Sequence, residues 1–177
     1  CRLAASIGFL VMKQHDRFAL GIARNGLKTF IPADGTMRHL AGVLKAMETH
    51  RPKHEAKLAD AIDELSRAGR RRSLLVLMSD LLDDVDRVAS TLAARMHHGG
   101  EVVVFHILHP DELNLPKLEH ATFVDSETGG RVRLSIDELR EQYTERMQTF
   151  VTSWEARCRA LGIDYIRSCF NLLRKQP

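Results

Sequence analysis

The sequence predicts an α/β fold: a three-layer sandwich, helix on sheet on helix, around a mostly parallel open sheet with an antiparallel hairpin at its edge. Three observations predict it. Residues Ser73 to Met78 (Ser-Leu-Leu-Val-Leu-Met) and Val102 to Leu108 are short, almost unbroken apolar runs, the pattern of strands buried on both faces under covering helices. Amphipathic stretches separate the runs, so strands and helices alternate, which favours right-handed crossovers. The first run stops abruptly at Ser79-Asp80-Leu81-Leu82-Asp83-Asp84, and open α/β sheets bind ligands at the carboxyl ends of their strands.

Along the chain, Leu3, Ile7, Leu10 and Val11 recur at helical spacing and predict a first helix that ends at His15-Asp16. Phe18 to Ala23 reads as a strand, Asn25-Gly26 as a hairpin turn and Leu27 to Ile31 as its partner, because Asn-Gly tolerates the positive φ of a two-residue turn. Pro32 and Gly35 break the chain. Thr36 is placed to cap a helix to about Thr49, with Leu40, Val43, Leu44 and Met47 as its stripe. A second helix is expected from about Glu55 to Ala68, stopped by Gly69. After the strand at Leu74 to Met78, Asp83 or Asp84 is placed to cap a helix whose face is Val85, Val88, Leu92 and Met96, ended by Gly99-Gly100. Beyond the strand at Val102 to Leu108, Pro110 to Pro116 reads as a loop or short turn. Thr122 to Asp125 and Arg131 to Leu134 form a hairpin around Glu127-Thr128-Gly129-Gly130. Ser135 and Glu138 make a capping box for a long helix carrying Tyr143, Met147, Phe150, Val151, Trp154 and Cys158 on one side. Gly162 closes it, and Ile163 to Ser168 is the last parallel strand.

The bulk composition bounds the function classes. With 177 residues, 44% of them hydrophobic, the chain is large enough for one domain with a true core. The 26 Lys and Arg against 23 Asp and Glu are too balanced to argue for nucleic acid or a membrane surface. Arg70-Arg71-Arg72 and Arg174-Lys175 read as solvated basic faces. Cys1, Cys158 and Cys169 have neither metal-ligand spacing nor an even count, and reduced thiols in the cytoplasm are the simple expectation. No apolar run reaches the roughly 20 residues that cross a bilayer, and no signal peptide is visible. The chain opens on Cys1 already inside an apolar helical pattern, so it is expected to be a piece of a longer protein.

The candidate chemistry centres on Asp80 with Asp83 and Asp84. Carboxylates at a strand end are suited to hard cations such as magnesium; the alternative is that Asp83 and Asp84 merely cap the next helix and favour its positive end. His97, His98, His106 and His109 lie close in sequence, but His106 and His109 do not share a strand face and the set is too irregular for zinc. No Gly-x-Ser-x-Gly elbow, dinucleotide fingerprint or phosphate loop is present, so no catalytic residue is named.

Five stretches together carry a resemblance: Asp16-Arg17-Phe18-Ala19-Leu20-Gly21; Leu77-Met78-Ser79-Asp80-Leu81-Leu82-Asp83; Phe105-His106-Ile107-Leu108-His109-Pro110-Asp111-Glu112-Leu113; Phe123-Val124-Asp125 with Glu127-Thr128-Gly129; and Ala160-Leu161-Gly162-Ile163-Asp164-Tyr165. In order and spacing they resemble the bacterial domain-of-unknown-function family fifty-eight. The resemblance implies a von Willebrand factor A-like fold and, over residues 1–177, a single domain that lacks its first central strand. It implies a non-enzymatic protein-binding module, with a MoxR-type AAA+ ATPase as partner in assembly or chaperone-like work. It also implies a metal-ion-dependent adhesion site built from Asp-x-Ser-x-Ser, a Thr and a final Asp. Asp80 matches only the final Asp, as a tentative metal ligand. The Asp-x-Ser-x-Ser motif is absent from this chain, and Ala56 stands where the Thr is expected. No tightly bound metal is therefore expected in this chain, and magnesium is reserved for an intact protein that restores the motif. If a metal were bound, a partner's carboxylate would complete its shell.

The resemblance places the missing strand between those at Phe18 to Ala23 and Leu74 to Met78. Its removal leaves a slot about 10 Å wide with unpaired edges. One of three outcomes is expected: the two strands close up, another segment fills the slot, or two chains pair through it as a homodimer. The partner-binding residues expected are Ser79, Asp80, Asp83 and Asp84, with a protein partner and no nucleic acid. Membrane attachment would come only through segments outside this chain that tether it to the inner face of the inner membrane. The rival reading is a metal-dependent hydrolase with Asp80 as a magnesium ligand, and a second rival is a structural module whose acidic edge only caps a helix.

Overall fold

The computed structural model describes residues 1–50, 56–69, 72–113, 120–124 and 131–169, with the side chains of 120–124 and 131–139 outside the described set. The expected Asp125 and Glu127 to Gly130 turn, the Ser135–Glu138 capping side chains, Glu55, Arg70 and Arg71 lie outside it. The chain divides into two compact units. One is Cys1–Ser73 with Asp86–Gly100; the other is Leu74–Val85 with Glu101–Pro177.

In the first unit, helix α1 (Arg2–Lys13) leads through a left-handed His15 (φ 62°) into strand β1 (Phe18–Ala23), which pairs antiparallel with β2 (Leu27–Asp34). Asn25 and Gly26 have φ of 51° and 94°, the pair of positive angles that a tight hairpin turn requires. The sequence expectation ended β2 at Ile31 because of Pro32. The strand instead runs on to Asp34, with a register shift between Phe18↔Asp34 and Leu20↔Ile31. A bulge lets the ladder continue past a residue that has no N–H to donate.

Helix α2 (Met37–Thr49) is capped as expected, with Thr36 Oγ1 accepting the His39 amide at 3.2 Å. The His39 Nε2–H donates to the Phe18 carbonyl at 2.7 Å and so ties α2 to β1. Helix α3 (Leu58–Ala68) begins three residues later than Glu55, because Lys57 is left-handed (φ 46°) and the Ala56 carbonyl is spent on the Gly26 amide at 3.1 Å. Helix α4 (Val85–His97) lies in this unit except for its first residue, and buries Val88, Ala89, Leu92 and Arg95. Burial lowers the Arg95 pKa. Its guanidinium donates to Ser66 Oγ at 3.3 Å and to Ser73 O and Oγ, both at 2.9 Å. Arg87 pairs with Asp60 across α4 and α3.

The second unit holds the parallel sheet, in the order β3 (Leu74–Ser79), β4 (Glu101–Leu108), β7 (Asp164–Cys169). Between β4 and β7 come the single turn α5 (Pro110–Leu113), the antiparallel pair β5 (His120–Val124) and β6 (Arg131–Ser135), and the long helix α6 (Ile136–Ala160). On α6, Met147, Val151, Trp154 and Cys158 are buried, a spacing of four, three and four that marks one helical face. Leu108 of β4 packs against Met147 and Val151, with Leu113, Tyr143 and Phe150 around them. The turn at Gly162 has φ 69°.

The sheet corrects one expectation. β3 and β4 are not buried on both faces. On β4, Val102, Val104, His106 and Leu108 are buried, whereas Val103, Phe105 and Ile107 are half-buried; on β3, Leu75 and Leu77 are buried, and Val76 and Met78 half-buried. A half-covered face still takes apolar side chains, so the run looks continuous while the burial alternates. β3 is an edge strand, with β4 its strand partner among the described residues. Among the described residues β1 lies in a sheet with β2, and β3 in a sheet with β4 and β7.

The β1–β2 turn gives a test. A Cβ on Gly26 would sit 2.9 Å from Glu64 Oε1 at a φ of 94°. Gly26→Ala is expected to destabilise the chain by about 1–2 kcal/mol, read as a lowered thermal midpoint, whereas Asn25→Gly is expected to shift it little.

Candidate functional site

In a parallel sheet every strand ends on the same side, so the carboxyl ends of β3 and β4 share one edge. The β3 end is a loop in which each backbone group has a set direction. Ser79 is half-buried and its Oγ accepts the Leu81 amide at 3.0 Å. Asp80 is exposed, and its Oδ1 accepts the Leu82 amide at 3.2 Å. The Leu81 carbonyl accepts the Asp83 amide at 2.9 Å, and Asp83 Oδ1 accepts the Asp84 amide at 2.7 Å. Short polar side chains bonding their own backbone are the usual way to hold such a turn.

Leu81 decides how the loop presents itself. It is left-handed, with φ 58°, and fully buried at 0% exposure. A non-glycine residue held there costs roughly 1–2 kcal/mol, which its burial offsets. The inversion sends Leu81 inward and its neighbour outward: Leu82, which lies between Asp80 and Asp83 in the sequence, is 61% exposed.

Beneath the loop lies His106. In the parallel register it stands beside Ser79 on one side and Arg167 on the other. It is fully buried and both ring nitrogens are engaged. Nε2 lies 2.9 Å from the Asp80 carbonyl, which accepts only, so Nε2 carries the proton; Nδ1 lies 2.6 Å from Tyr165 Oη and accepts the phenol's hydrogen. Phe150 of α6 meets the ring edge-on at 5.7 Å. Burial holds the imidazole's pKa below its usual value; the Asp80 hydrogen bond and the charges of Asp80 and Glu112 oppose this, while Arg167 reinforces it. Burial, with smaller contributions from Cys158 and Glu155, pushes the Tyr165 phenol up to about 12 against the pull of Arg167. Both shifts favour neutral partners, which the two hydrogen bonds require.

The β4 end adds α5. Glu112 Oε2 accepts the His109 amide at 2.6 Å, His109 Nδ1 accepts the Asp111 amide at 3.2 Å, and Tyr143 Oη donates to the Glu112 carbonyl at 2.8 Å. Asp111 also lies 3.4 Å from the His109 ring. The edge thus gathers Ser79, Asp80, Asp83 and Asp84, as the sequence expected, and adds Leu82, Asp111 and Glu112, which it did not single out. Leu82 had no signal beyond its place in an acidic loop. The signal for His106 was its phase: it falls in step with Val102, Val104 and Leu108.

These groups do not fit a magnesium site. The β3 end supplies Asp80, but one of its oxygens is occupied by the Leu82 amide and the Ser79 hydroxyl by the Leu81 amide. No group of three or more His, Cys, Asp or Glu side chains suited to a metal forms among the described residues. Near-octahedral coordination needs more oxygen ligands than that.

A family model described as protein of unknown function DUF58 matches residues 1–151. The chain belongs to that family. Among its relatives, uncharacterized proteins of Mycobacterium tuberculosis and Mycobacterium bovis are each 32% identical over 145 residues, covering 79% of this chain and 45% of theirs. An uncharacterized Mycobacterium avium protein is 35% identical over 91 residues, covering 50% of this chain and 52% of its own. The chain thus spans less than half the length of the first two relatives. The fold is shared with two solved structures. One is the conserved hypothetical protein BatB of Bacteroides thetaiotaomicron, with TM-score 0.55 and 13% identity, covering 96% of this chain and 80% of that one. The other is an aerotolerance-related membrane protein of Bacteroides fragilis, with TM-score 0.58 and 14% identity, covering 93% and 79%. In the DUF58 chain itself, no helix among the described residues is long and apolar enough to cross a membrane.

Two measurements test this geometry. The folded chain holds His106 neutral, whereas the unfolded chain takes up a proton near the ordinary imidazole value of 6.5. Below that value the unfolded state binds more protons, so this contribution to stability is fully present above the unfolded pKa and is lost as pH falls towards the folded one. The thermal midpoint is expected to drop between about pH 7.5 and 5.5, and to drop less in His106→Gln. At Leu81 the usual helix-and-strand ranking should invert: Leu81→Ala is expected to cost about 2–4 kcal/mol, and Leu81→Gly about 1 kcal/mol less than Ala, measured by urea unfolding.

Proposed function

We propose that this chain is a non-enzymatic protein-docking domain of von Willebrand factor A type, whose acidic carboxyl edge binds a MoxR-type AAA+ ATPase in assembly or chaperone-like work. The observation that carries this reading is the β3–α4 loop: a left-handed, fully buried Leu81 forces Leu82 out to 61% exposure beside the exposed Asp80. A single exposed leucine is ordinary. A leucine held out by a strained turn, with hydrogen bonds fixing the backbone on both sides, is preorganised for contact, and such backbone strain gathers at binding sites. An apolar anchor with a charged rim is also the anatomy of a protein interface.

The rival hydrolase needs several oxygen ligands or an acid–base pair converging on one point, and at the β3 end Ser79, Asp80 and Asp83 each give a side-chain oxygen to a backbone amide, while no group of three or more His, Cys, Asp or Glu suited to a metal forms among the described residues. The additional length of the relatives leaves room for a membrane tether, which would hold the domain at the cytoplasmic face. The Bacteroides fragilis neighbour, called a membrane protein, supports that placement.

The test is calorimetric titration of the purified chain with the MoxR-type ATPase of the same genome. Asp80→Ala and Leu82→Ala are each expected to weaken binding about tenfold or more, with thermal midpoints close to the parent's, while Ser90→Ala on α4 leaves binding unchanged. Equal affinity for the parent and both edge variants would overturn the reading.

A further inference from the structure

Three features compete for attention outside the acids already assigned. The groove between α3 and α4, lined by Asp60, Asp63, Arg87, Ser90 and Thr91, is spanned by the Arg87–Asp60 pair and presents nothing that specifies a ligand. The buried Arg95 is engaged by Ser66 and Ser73, and its Nε is shut off from solvent, so no anion could reach it. His106 differs. It is a core residue of β4, yet one of its two hydrogen bonds leaves the core and ends on the backbone of the docking loop.

We propose that His106 is the positioning residue of the docking edge: its Nε2–H holds the Asp80 carbonyl, Tyr165 locks the ring from the opposite side, and together they set the direction in which Asp80 and Leu82 project. This rests on the docking reading of the same loop. The chain of contacts is short. Tyr165 on β7 donates to Nδ1 at 2.6 Å, and Nε2 donates to the Asp80 carbonyl at 2.9 Å. From there Asp80 Oδ1 receives the Leu82 amide at 3.2 Å, and the Ser79 hydroxyl receives the Leu81 amide at 3.0 Å. All three strands of the sheet thus act on one peptide group. Phe150 against the ring edge restricts its rotation.

The role follows from what else could stand there. A buried imidazole with both nitrogens satisfied costs little, but one that loses a partner costs the desolvation of a polar group. The Asp80 carbonyl can only accept, so it fixes the proton on Nε2, and the phenol then serves the bare Nδ1 as donor. An apolar residue of similar size would fill the same volume and leave that carbonyl without its donor. The carbonyl lies one residue before Leu81, whose left-handed backbone is the least favourable in the loop. Releasing it allows the turn to relax and Leu82 to turn inward.

The experiment uses the full chain in three variants: His106→Leu, His106→Gln and Tyr165→Phe. Gln carries an amide nitrogen at the reach of Nε2, so it keeps the donor; Leu removes it. Three readouts are taken: heteronuclear NMR of the imidazole ring, amide hydrogen exchange at Leu81 to Asp84, and affinity for the MoxR-type ATPase. In the parent, the ring is expected to be protonated on Nε2 and bare on Nδ1. His106→Leu is expected to speed exchange at the loop amides about tenfold while the β4 amides of Val103 to Phe105 stay protected, and to weaken ATPase binding by a similar factor. His106→Gln should restore both. Tyr165→Phe should keep the proton on Nε2, because the Asp80 carbonyl remains, and give an intermediate loop as the ring loses its second anchor. Unchanged loop exchange in a folded His106→Leu chain, or an Nδ1-protonated ring in the parent, would overturn the positioning role. Absence of ATPase binding in the parent would overturn the docking reading alone, because the ring and exchange readouts do not depend on the partner.

Discussion

A neutral imidazole buried in a parallel sheet must find an acceptor for one nitrogen and a donor for the other, and in this DUF58 chain those two demands are met by different parts of the same unit. Tyr165 satisfies Nδ1 from the neighbouring strand, and the Asp80 carbonyl satisfies Nε2 from the loop beyond β3. The core and the surface loop are thereby coupled through one side chain. The direction of Asp80, the left-handed turn at Leu81 and the exposure of Leu82 all depend on that carbonyl staying where it is.

The polarity of the sheet explains why the functional groups collect on one side. β3, β4 and β7 run parallel, so their carboxyl ends and the loops that follow share an edge. The β3 end brings acids and an outward leucine. The β4 end brings α5, where Glu112 receives the His109 amide and the Tyr143 hydroxyl reaches the Glu112 carbonyl. Ser79, Asp80 and Asp83 spend side-chain oxygens on backbone amides, so the edge is shaped by its own polar groups.

Much of the fold was legible because periodicity reports burial directly. The stripe of α6, the Asn25-Gly26 turn, the Thr36 cap and the three parallel strands follow from spacing alone, and the place of Asp80 followed from where an apolar run stops. The rest was hidden for physical reasons. Continuous apolar runs at β3 and β4 concealed an alternation between one buried and one half-covered face. Pro32 suggested a break, but a bulge carried the ladder past it. Lys57 and Leu81 adopt positive φ without being Gly or Asn, so no residue type announced the late start of α3 or the inversion at the loop. His106 belonged to a cluster of histidines that argued for nothing. Its tertiary partners, the Asp80 carbonyl and Tyr165, the latter 59 residues away in sequence, give it a tautomer and a role.

The most direct test of the account is a hydrogen-exchange footprint of the chain with and without a saturating MoxR-type ATPase. Protection is expected at Ser79 to Asp84 and at His109 to Glu112, the two loops of the carboxyl edge, with the β1–β2 hairpin unchanged. A complex whose protection falls on the hairpin or on α3 and leaves Leu81 to Asp84 exchanging as in the free chain would contradict it.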